Sequence, residues 1–413
     1  MSRKVLSLAA ALLFATSCVF SNGLSLNSIG TRSLGMGGSF IGLANDYTAI
    51  YWNPAGISQL KGNYIGLFST DVIPTGSYKI DALGIDAKMK TNHYISPNLM
   101  GYVSFEPAKD FTFALGVYVP AGLGSEWDGK DLAKLTGGTA LDWMSKIAVV
   151  DISPAVSYKV NENLSVGAAL NIFYGMFDMK KPAGMLGPDQ KVHYFQFTET
   201  SDGLGYGVTL GAHYKVNEMI SLGASFRTKT AVSMSGTATN PAFAALGSTE
   251  SKFSRDVAWP MWIGGGVAVR PMENWVITAD AQYSQWSKSE DQFTATYDNA
   301  NWQAAMVSAK ANVFDLKWKD ATQIRFGTEY QINNSFAVRG GYYIDPAPAP
   351  DETYNILFPS ISYNAVSVGA SYKVSNLTFD LGLEYLAGKE RTIGPFVNSM
   401  NITGLSFGVG YGF

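Results

Sequence analysis

The sequence predicts an all-β chain: a 14-stranded antiparallel transmembrane β-barrel with an N-terminal hatch, or plug, inside its lumen. Three observations carry that prediction. Period-two alternation recurs along the chain, tight polar turns alternate with long connections, and after the first residues no apolar run is long enough to cross a membrane as a helix.

The N-terminus comes first. Arg3 and Lys4 precede an apolar run from Val5 to Ala15, followed by small and polar residues, the layout of a secretory signal peptide over residues 1–21. The run is about half of the roughly 20 residues a spanning helix requires. Processing is expected after Val19-Phe20-Ser21; a lipoprotein-style cut before Cys18 is the alternative, with Ala15 a poor match to the aliphatic residue that opens such a site. Cleavage after Ser21 discards the single cysteine, and with it any disulfide, thiol nucleophile or cysteine metal site.

Composition points the same way. Twenty-two Tyr, 23 Phe, nine Trp and 43 Gly in a chain with 15% charged residues are unlike a soluble enzyme and suit aromatic girdles around a lumen lined by small residues. The net charge of −3, about −5 without Arg3 and Lys4, gives no reason to expect a nucleic-acid partner.

The strands follow from alternation. Leu164, Val166, Ala168, Leu170 and Ile172 interleave with Ser165, Gly167, Ala169 and Asn171; Phe336, Val338, Gly340, Tyr342 and Ile344 interleave with Arg339, Gly341, Tyr343 and Asp345. Strands are expected near 63–70, 93–106, 111–119, 149–160, 163–178, 202–215, 219–234, 257–270, 274–287, 321–331, 335–345, 361–374, 376–387 and 402–413. Six junctions are tight and polar, among them Asn161-Glu162-Asn163, Asn333-Asn334 and Pro107 to Asp110; the other seven are long, near 71–92, 120–148, 179–201, 235–256, 288–320, 346–360 and 388–401. An outer-membrane barrel has short periplasmic turns and long outer loops. Lipid cannot satisfy an open strand edge, so first and last strands must pair. The final alternation, Leu405, Phe407, Val409, Tyr411 and Phe413, ends on an aromatic and resembles the signal read by the barrel assembly machinery. Outer-membrane lipids and lipopolysaccharide are the expected surroundings.

Residues 22–60 do not alternate and are rich in glycine, while the barrel is expected over 61–413. About eight strands is the size whose own side chains fill the interior, so a wider barrel needs a plug. Within this segment, Leu26 to Gly38, Ala44-Asn45-Asp46 and Trp52-Asn53-Pro54-Ala55-Gly56 resemble the N-terminal hatch of the FadL family of hydrophobic-compound transporters. Phe111 to Trp127, Trp318 to Gly327 and Arg339 to Pro348 are similar to that family's third, tenth and eleventh strands, and the likeness extends over essentially the whole mature chain. The resemblance implies a monomeric channel for passive, ligand-gated uptake of long-chain fatty acids or other hydrophobic small molecules. Their exit would be lateral, through the wall beside a kinked third strand. It also implies gate roles for Asn53, Pro54 and Ala55 of the hatch and for Asp345. Gly116, Gly122 and Gly124 are compatible with the kink, since glycine permits a bend in a strand.

Capture of an apolar ligand calls for apolar loops outside. Met185 and Leu186, Phe243 and Leu246, and Leu357 and Phe358 are the candidates, on the expectation that exposed apolar patches mark binding sites. The third long loop looks shorter than in the family's fatty-acid members. Strand parity places Arg227, Asp280, Arg325, Glu329, Arg339, Asp345, Asp380 and Glu384 on the lumen side, where unpaired charge is costly and pairing with the plug is expected. A ligand carboxylate would want a cation. Arg325, Arg339, Lys317 and Lys319 are the candidates, and the stretch Phe173 to Asp178 lacks the basic residue that the family's fatty-acid members can carry there, which keeps a neutral hydrocarbon in play as the ligand. No enzymatic role, cofactor or metal site is expected: His93, His193 and His213 stand far apart with no HExxH, and Gly35-Met36-Gly37-Gly38 lacks the Lys-Ser/Thr of a phosphate loop. The competing readings are a structural or surface-interaction barrel, such as an adhesin or receptor, and a general porin, against which the plug argues.

Overall fold

The computed structural model describes residues 23–104, 108–289 and 292–413. The expected signal peptide, Cys18 included, and Pro107 of one tight turn lie outside these residues.

Fourteen antiparallel strands form one closed barrel. In chain order they are β1 (Asn63–Ile80), β2 (Tyr94–Ser104), β3 (Phe111–Trp127), β4 (Trp143–Lys159), β5 (Leu164–Leu186), β6 (Val192–Lys215), β7 (Ile220–Arg227 continuing as Thr230–Thr239) and β8 (Glu250–Trp259 continuing as Trp262–Met272). There follow β9 (Trp275–Ser284), β10 (Ala321–Gln331), β11 (Phe336–Asp345), β12 (Tyr363–Val374), β13 (Leu377–Gly388) and β14 (Phe396–Gly412). Each pairs with its sequence neighbours, and β14 closes on β1 from Tyr64↔Gly412 to Ile80↔Phe396.

The alternation resolves into two faces. Leu67, Leu115, Leu170, Leu204, Val366, Leu381 and Phe407 are exposed on the outside, the reverse of a water-soluble sandwich and the condition for facing lipid. The opposite face carries Ser157, Asn171, Thr209, Asp280, Arg325 and Arg339, all buried. Several strands run past their expected ends on the loop side: β1 reaches Ile80, β3 Trp127 and β5 Leu186, while β6 begins at Val192. Backbone pairing continues there although the outward residues turn polar, as at Asp178 and Lys180, so the apolar alternation stops before the ladder does.

Residues 24–60 fold inside the lumen through helix α1 (Thr31–Gly35), helix α2 (Ala49–Trp52) and a 3-10 turn (Pro54–Gln59). Wall residues bind this backbone directly: Asp280 accepts the N–H groups of Phe40 and Ile41 at 2.7 and 2.9 Å, and Arg325 donates to the Gly37 carbonyl at 2.8 Å. Such close approach needs bare positions on the wall. A Cβ added at Gly341 would lie 2.1 Å from the Gly37 nitrogen, and one at Gly223 2.0 Å from the Ile41 carbonyl oxygen. In the long connection after β9, helix α3 (Ala300–Ser308), capped by the Asn299 side chain, buries Trp302 and Met306 in an apolar cluster with Phe243 and Phe253.

Candidate functional site: a slit in the wall and the chamber behind it

The wall is not evenly sealed. Strands β2 and β3 share a ladder only from Leu99↔Val117 to Ser104↔Thr112. Above it, Tyr94 to Asn98 stay paired to β1 and leave β3. On its other side β3 slips register against β4 between Tyr118 and Ala121, around Pro120. The two edges meet again higher up, where Met89 bridges Trp127 and the Lys90 N–H reaches the Glu126 carbonyl at 2.7 Å. Between these points lies a slit in the wall, with Ile95 and Pro97 exposed on its outer side.

From inside, the N-terminal segment covers the freed edge of β3. Leu26 N–H donates to Pro120 O and Gly122 N–H to Leu24 O, each at 3.0 Å, with Ser25 bridged to Ala121. Three residues thus act as a short extra strand where β2 is missing.

Behind the slit, toward the loops, is an apolar chamber filled by its own packed side chains. Leu24 is fully buried there with Phe173, Phe177, Phe197, Trp259 and Trp286. Polar atoms are few. Arg255 pairs with Glu199 at 2.7 Å, both side chains under 5% exposed, and the guanidinium lies over the rings of Phe177 and Phe253. Lys181 Nζ sits over Phe314 at 4.6 Å and Phe197 at 5.3 Å. Glu199 Oε1, Arg255 Nε and the indole nitrogens of Trp259 and Trp286 are buried without a hydrogen-bond partner. Desolvation makes each such atom costly.

Below the chamber the plug is bolted to the wall. Arg32 donates to both carboxylate oxygens of Glu329 at 2.8 and 2.7 Å and to Asp46 at 3.1 Å; Glu329 also takes Arg339 at 2.5 Å, and Arg339 reaches Asp380 at 3.3 Å. Burial opposes the Arg32 charge, but Glu329 and then Asp46 outweigh it and hold its pKa above the ordinary arginine value. A cavity of about 520 Å³ opens beside this network, lined by Arg32, Tyr47, Tyr64, Tyr102, Lys373 and Asp380.

The family described as "Outer membrane protein transport protein (OMPP1/FadL/TodX)" matches residues 12–406. The chain belongs to this family. It is an outer-membrane protein, as its relatives are. The long-chain fatty acid transport protein of Escherichia coli (strain K12) is 23% identical, over 96% of each chain. Among solved structures, a Pseudomonas aeruginosa FadL homologue superposes with a TM-score of 0.81 at 16% identity, covering 95% of this chain and all of the other. The Pseudomonas putida toluene transporter TodX gives 0.75 at 20% identity, covering 94% and 99%. At such identities the superpositions establish the shared fold.

Against the FadL-type expectations, the structure distributes the residues as follows. Asn53 is buried; its Oδ1 caps Ala55 N–H at 3.2 Å and its amide donates to Ile41 O at 3.2 Å and to Ala212 O of β6 at 2.9 Å. Pro54 opens the 3-10 turn, and Ala55 O takes the Ser157 hydroxyl of β4 at 3.0 Å. Asp345 accepts Gln323 Nε2 at 2.6 Å, and Gln323 also reaches Asn27, next to the Leu26 that pairs with β3. The two gate candidates therefore hold different stretches of the plug. The β3 kink falls between Gly116 and Gly122, on Tyr118 to Ala121, and none of the three glycines has a positive φ. Gly124 makes room for Tyr94, whose ring would meet an added Cβ at 2.2 Å.

Two expectations need correction. Arg325 and Arg339 do not offer a cation to the chamber: Arg325 is spent on Gly37 O, Gln323 and the Tyr343 ring, and Arg339 on Glu329 and Asp380. Lys317 and Lys319 are exposed on the loop before β10, Lys317 paired with Asp315 at 2.8 Å. The cations that do border the chamber, Lys181 and Arg255, fall in stretches read from the sequence as loops. Their alternation with Ala183 and Met185 and with Phe253 and Val257 is the signal that would have placed them.

The capture loops are also largely not exposed. Leu357 and Phe358 are each 2% exposed, Phe243 packs edge-on to Trp302, and Met185 and Leu246 pack against the same cluster. Of the six only Leu186, at the end of β5, is open to solvent. Burying each such side chain is worth about 1.5–3 kcal/mol, which folds the loops inward onto one another.

Proposed function

We propose that the chain is a channel for passive, ligand-gated uptake of a hydrophobic compound, a long-chain fatty acid or a hydrocarbon, that leaves through the wall between β2 and β3. The observation that carries this is the double role of Leu24 to Leu26: Leu24 is buried in the apolar chamber while Ser25 and Leu26 cover the slit. A ligand entering the chamber competes with Leu24 for the same apolar surface. Displacing Leu24 pulls its neighbours off β3 and uncovers the slit from inside. The ligand classes are those named for relatives, fatty acids and toluene.

Lys181 favours a ligand with an acidic end. Among the described residues no carboxylate lies within ion-pair distance of its Nζ, whereas the Arg255 charge is already met by Glu199. A bound carboxylate would give this half-buried ammonium a charge-assisted bond beside the aromatic rings.

The test is uptake of labelled oleate and of toluene by cells lacking their own such channel, comparing the protein with Asn53→Ala and Asp345→Ala at matched surface levels. Saturable uptake that collapses in both variants is expected. Lys181→Met should lower oleate uptake by roughly tenfold and leave toluene within about twofold, the difference a hydrogen bond to a charged group makes. No uptake of either compound by well-folded protein would move the assignment to surface interaction.

A further inference from the structure

The β2–β3 ladder stops for a chemical reason found in two adjacent residues. Ser104 gives its N–H to Gly62 O, on the β1 side. Successive residues of an antiparallel strand turn their backbone groups to opposite neighbours. Val103, Gly101 and Leu99 therefore face β3, and the next to do so is Pro97. Continuing the register past Leu99↔Val117, its partner would be Val119. Pro97 has no N–H to give, and that rung is not made.

Val119 still turns its own N–H into the gap. It donates to the side chain of Asn98, whose Oδ1 lies 2.8 Å away. Asn98 is 3% exposed, and its amide group is aimed by donating to Ser96 O at 2.7 Å. Among the described residues no ladder rung joins β2 to β3 above Leu99↔Val117, and the Asn98 side chain supplies the link instead.

We propose that Asn98 is the latch of the lateral exit, a positioning residue that holds the loose edge of β3 to β2 while Pro97 keeps the ladder from closing. This rests on the lateral-exit reading above. A single neutral hydrogen bond is weak enough to open and remake as a ligand passes, and the rungs below it need not break. Backbone pairing at the same place would seal the wall, and no bond at all would leave Val119 N–H facing lipid, where unsatisfied backbone is costly.

Two variants push in opposite directions. Asn98→Ala removes the latch, so amide exchange of the peptide containing Val119 should accelerate roughly tenfold in detergent-folded protein. Uptake of oleate and toluene should rise roughly three- to tenfold at matched surface levels, the range spanned by one net hydrogen bond. Pro97→Ala restores the missing N–H, and both quantities should fall. Asn98→Asp keeps an acceptor for Val119 but loses the donation to Ser96 O that aims it, so its exchange should fall between those of the parent and Asn98→Ala. Heat-modifiable gel mobility checks that each variant is folded. Folded Asn98→Ala with parental exchange and uptake would overturn the latch, as would Pro97→Ala without effect. If the parent imports neither compound, the lateral-exit reading fails by itself and the latch fails with it, whatever the exchange rates show.

Discussion

The barrel has two places where one strand must find a partner under special conditions, and they are built oppositely. At the seam, β14 and β1 stay in register without interruption from Tyr64↔Gly412 to Ile80↔Phe396, and the Phe413 N–H adds a bond to Asn63 O at 3.0 Å. At the slit, β2 and β3 part after Leu99↔Val117, and a proline, a side-chain amide and a three-residue strandlet from the plug stand in for the ladder. Lipid imposes the same rule on both, that no backbone group stay unsatisfied. The seam meets it with backbone, which is permanent. The slit meets it with groups that come from elsewhere and can be withdrawn.

The largest expected effect comes from giving the seam the slit's defect. Phe407 pairs with Ser69 of β1 on one side and Leu381 of β13 on the other. Proline in the interior of a sheet removes a rung that nothing replaces. Phe407→Pro should therefore abolish closure, with at least a roughly tenfold loss of heat-modifiable, folded protein in the outer membrane. Folded protein at parental levels would mean that the seam tolerates what the slit does and that the contrast is not one of permanence.

A second variant tests whether the plug, on which the slit depends, is held by charge. Arg339→Met leaves Glu329 sharing only Arg32 and takes from Asp380 its guanidinium partner, with the Ser371 hydroxyl remaining. Breaking a buried pair by removing one partner costs about 3–5 kcal/mol. Denaturant unfolding in detergent should register a loss of that order while the barrel still closes, since the seam contains none of these residues. A loss under about 1 kcal/mol would mean that the packed glycine contacts, not the charges, hold the plug.

The seam was legible in the sequence and the slit largely was not. Alternation such as Leu405, Phe407, Val409 and Tyr411 reports directly on a strand with one face in lipid, so the fourteen strands and the closure of the barrel could be read, though not the loop-side ends of β1, β3 and β5. The failure of that alternation over residues 22–60 marked the stretch from which a plug was expected. What could not be read were interactions between segments far apart in sequence. Ser25 pairing with Ala121 has no local signature, because three residues beside a free edge need no periodicity. Pro97 sits within an alternating strand and advertises a missing rung, but the side on which the rung is missing depends on register against two neighbours. Lys181 and Arg255 lie where the ladder continues although the outward residues are no longer consistently apolar, so only the inward half of the alternation remains to be read. The loop patches misled for a related reason: apolar residues between strands signal burial as readily as a surface, and Leu357 and Phe358 fold into the lumen, with the Leu357 carbonyl taking the hydroxyls of Ser125 and Ser145.

The smallest expected effect lies at the upper end of the slit, where β3 is regained. Two kinds of bond coincide there: the Lys90 N–H to the Glu126 carbonyl at 2.7 Å, and the Lys90 ammonium to the Glu126 carboxylate at 2.8 Å, with side chains 45% and 33% exposed. An ion pair this open to water is worth at most about 1 kcal/mol and is screened by salt, while the backbone bond continues the ladder. Lys90→Met should therefore change unfolding stability by less than about 1 kcal/mol, leave oleate and toluene uptake near parental values, and remove little that added salt does not already remove. Faster uptake in this variant would show that the upper end of the slit, like the lower, is closed by a side chain. The opening would then extend from Asn98 to Lys90 with no backbone stop above it, and the wall would be hinged at Leu99↔Val117 alone.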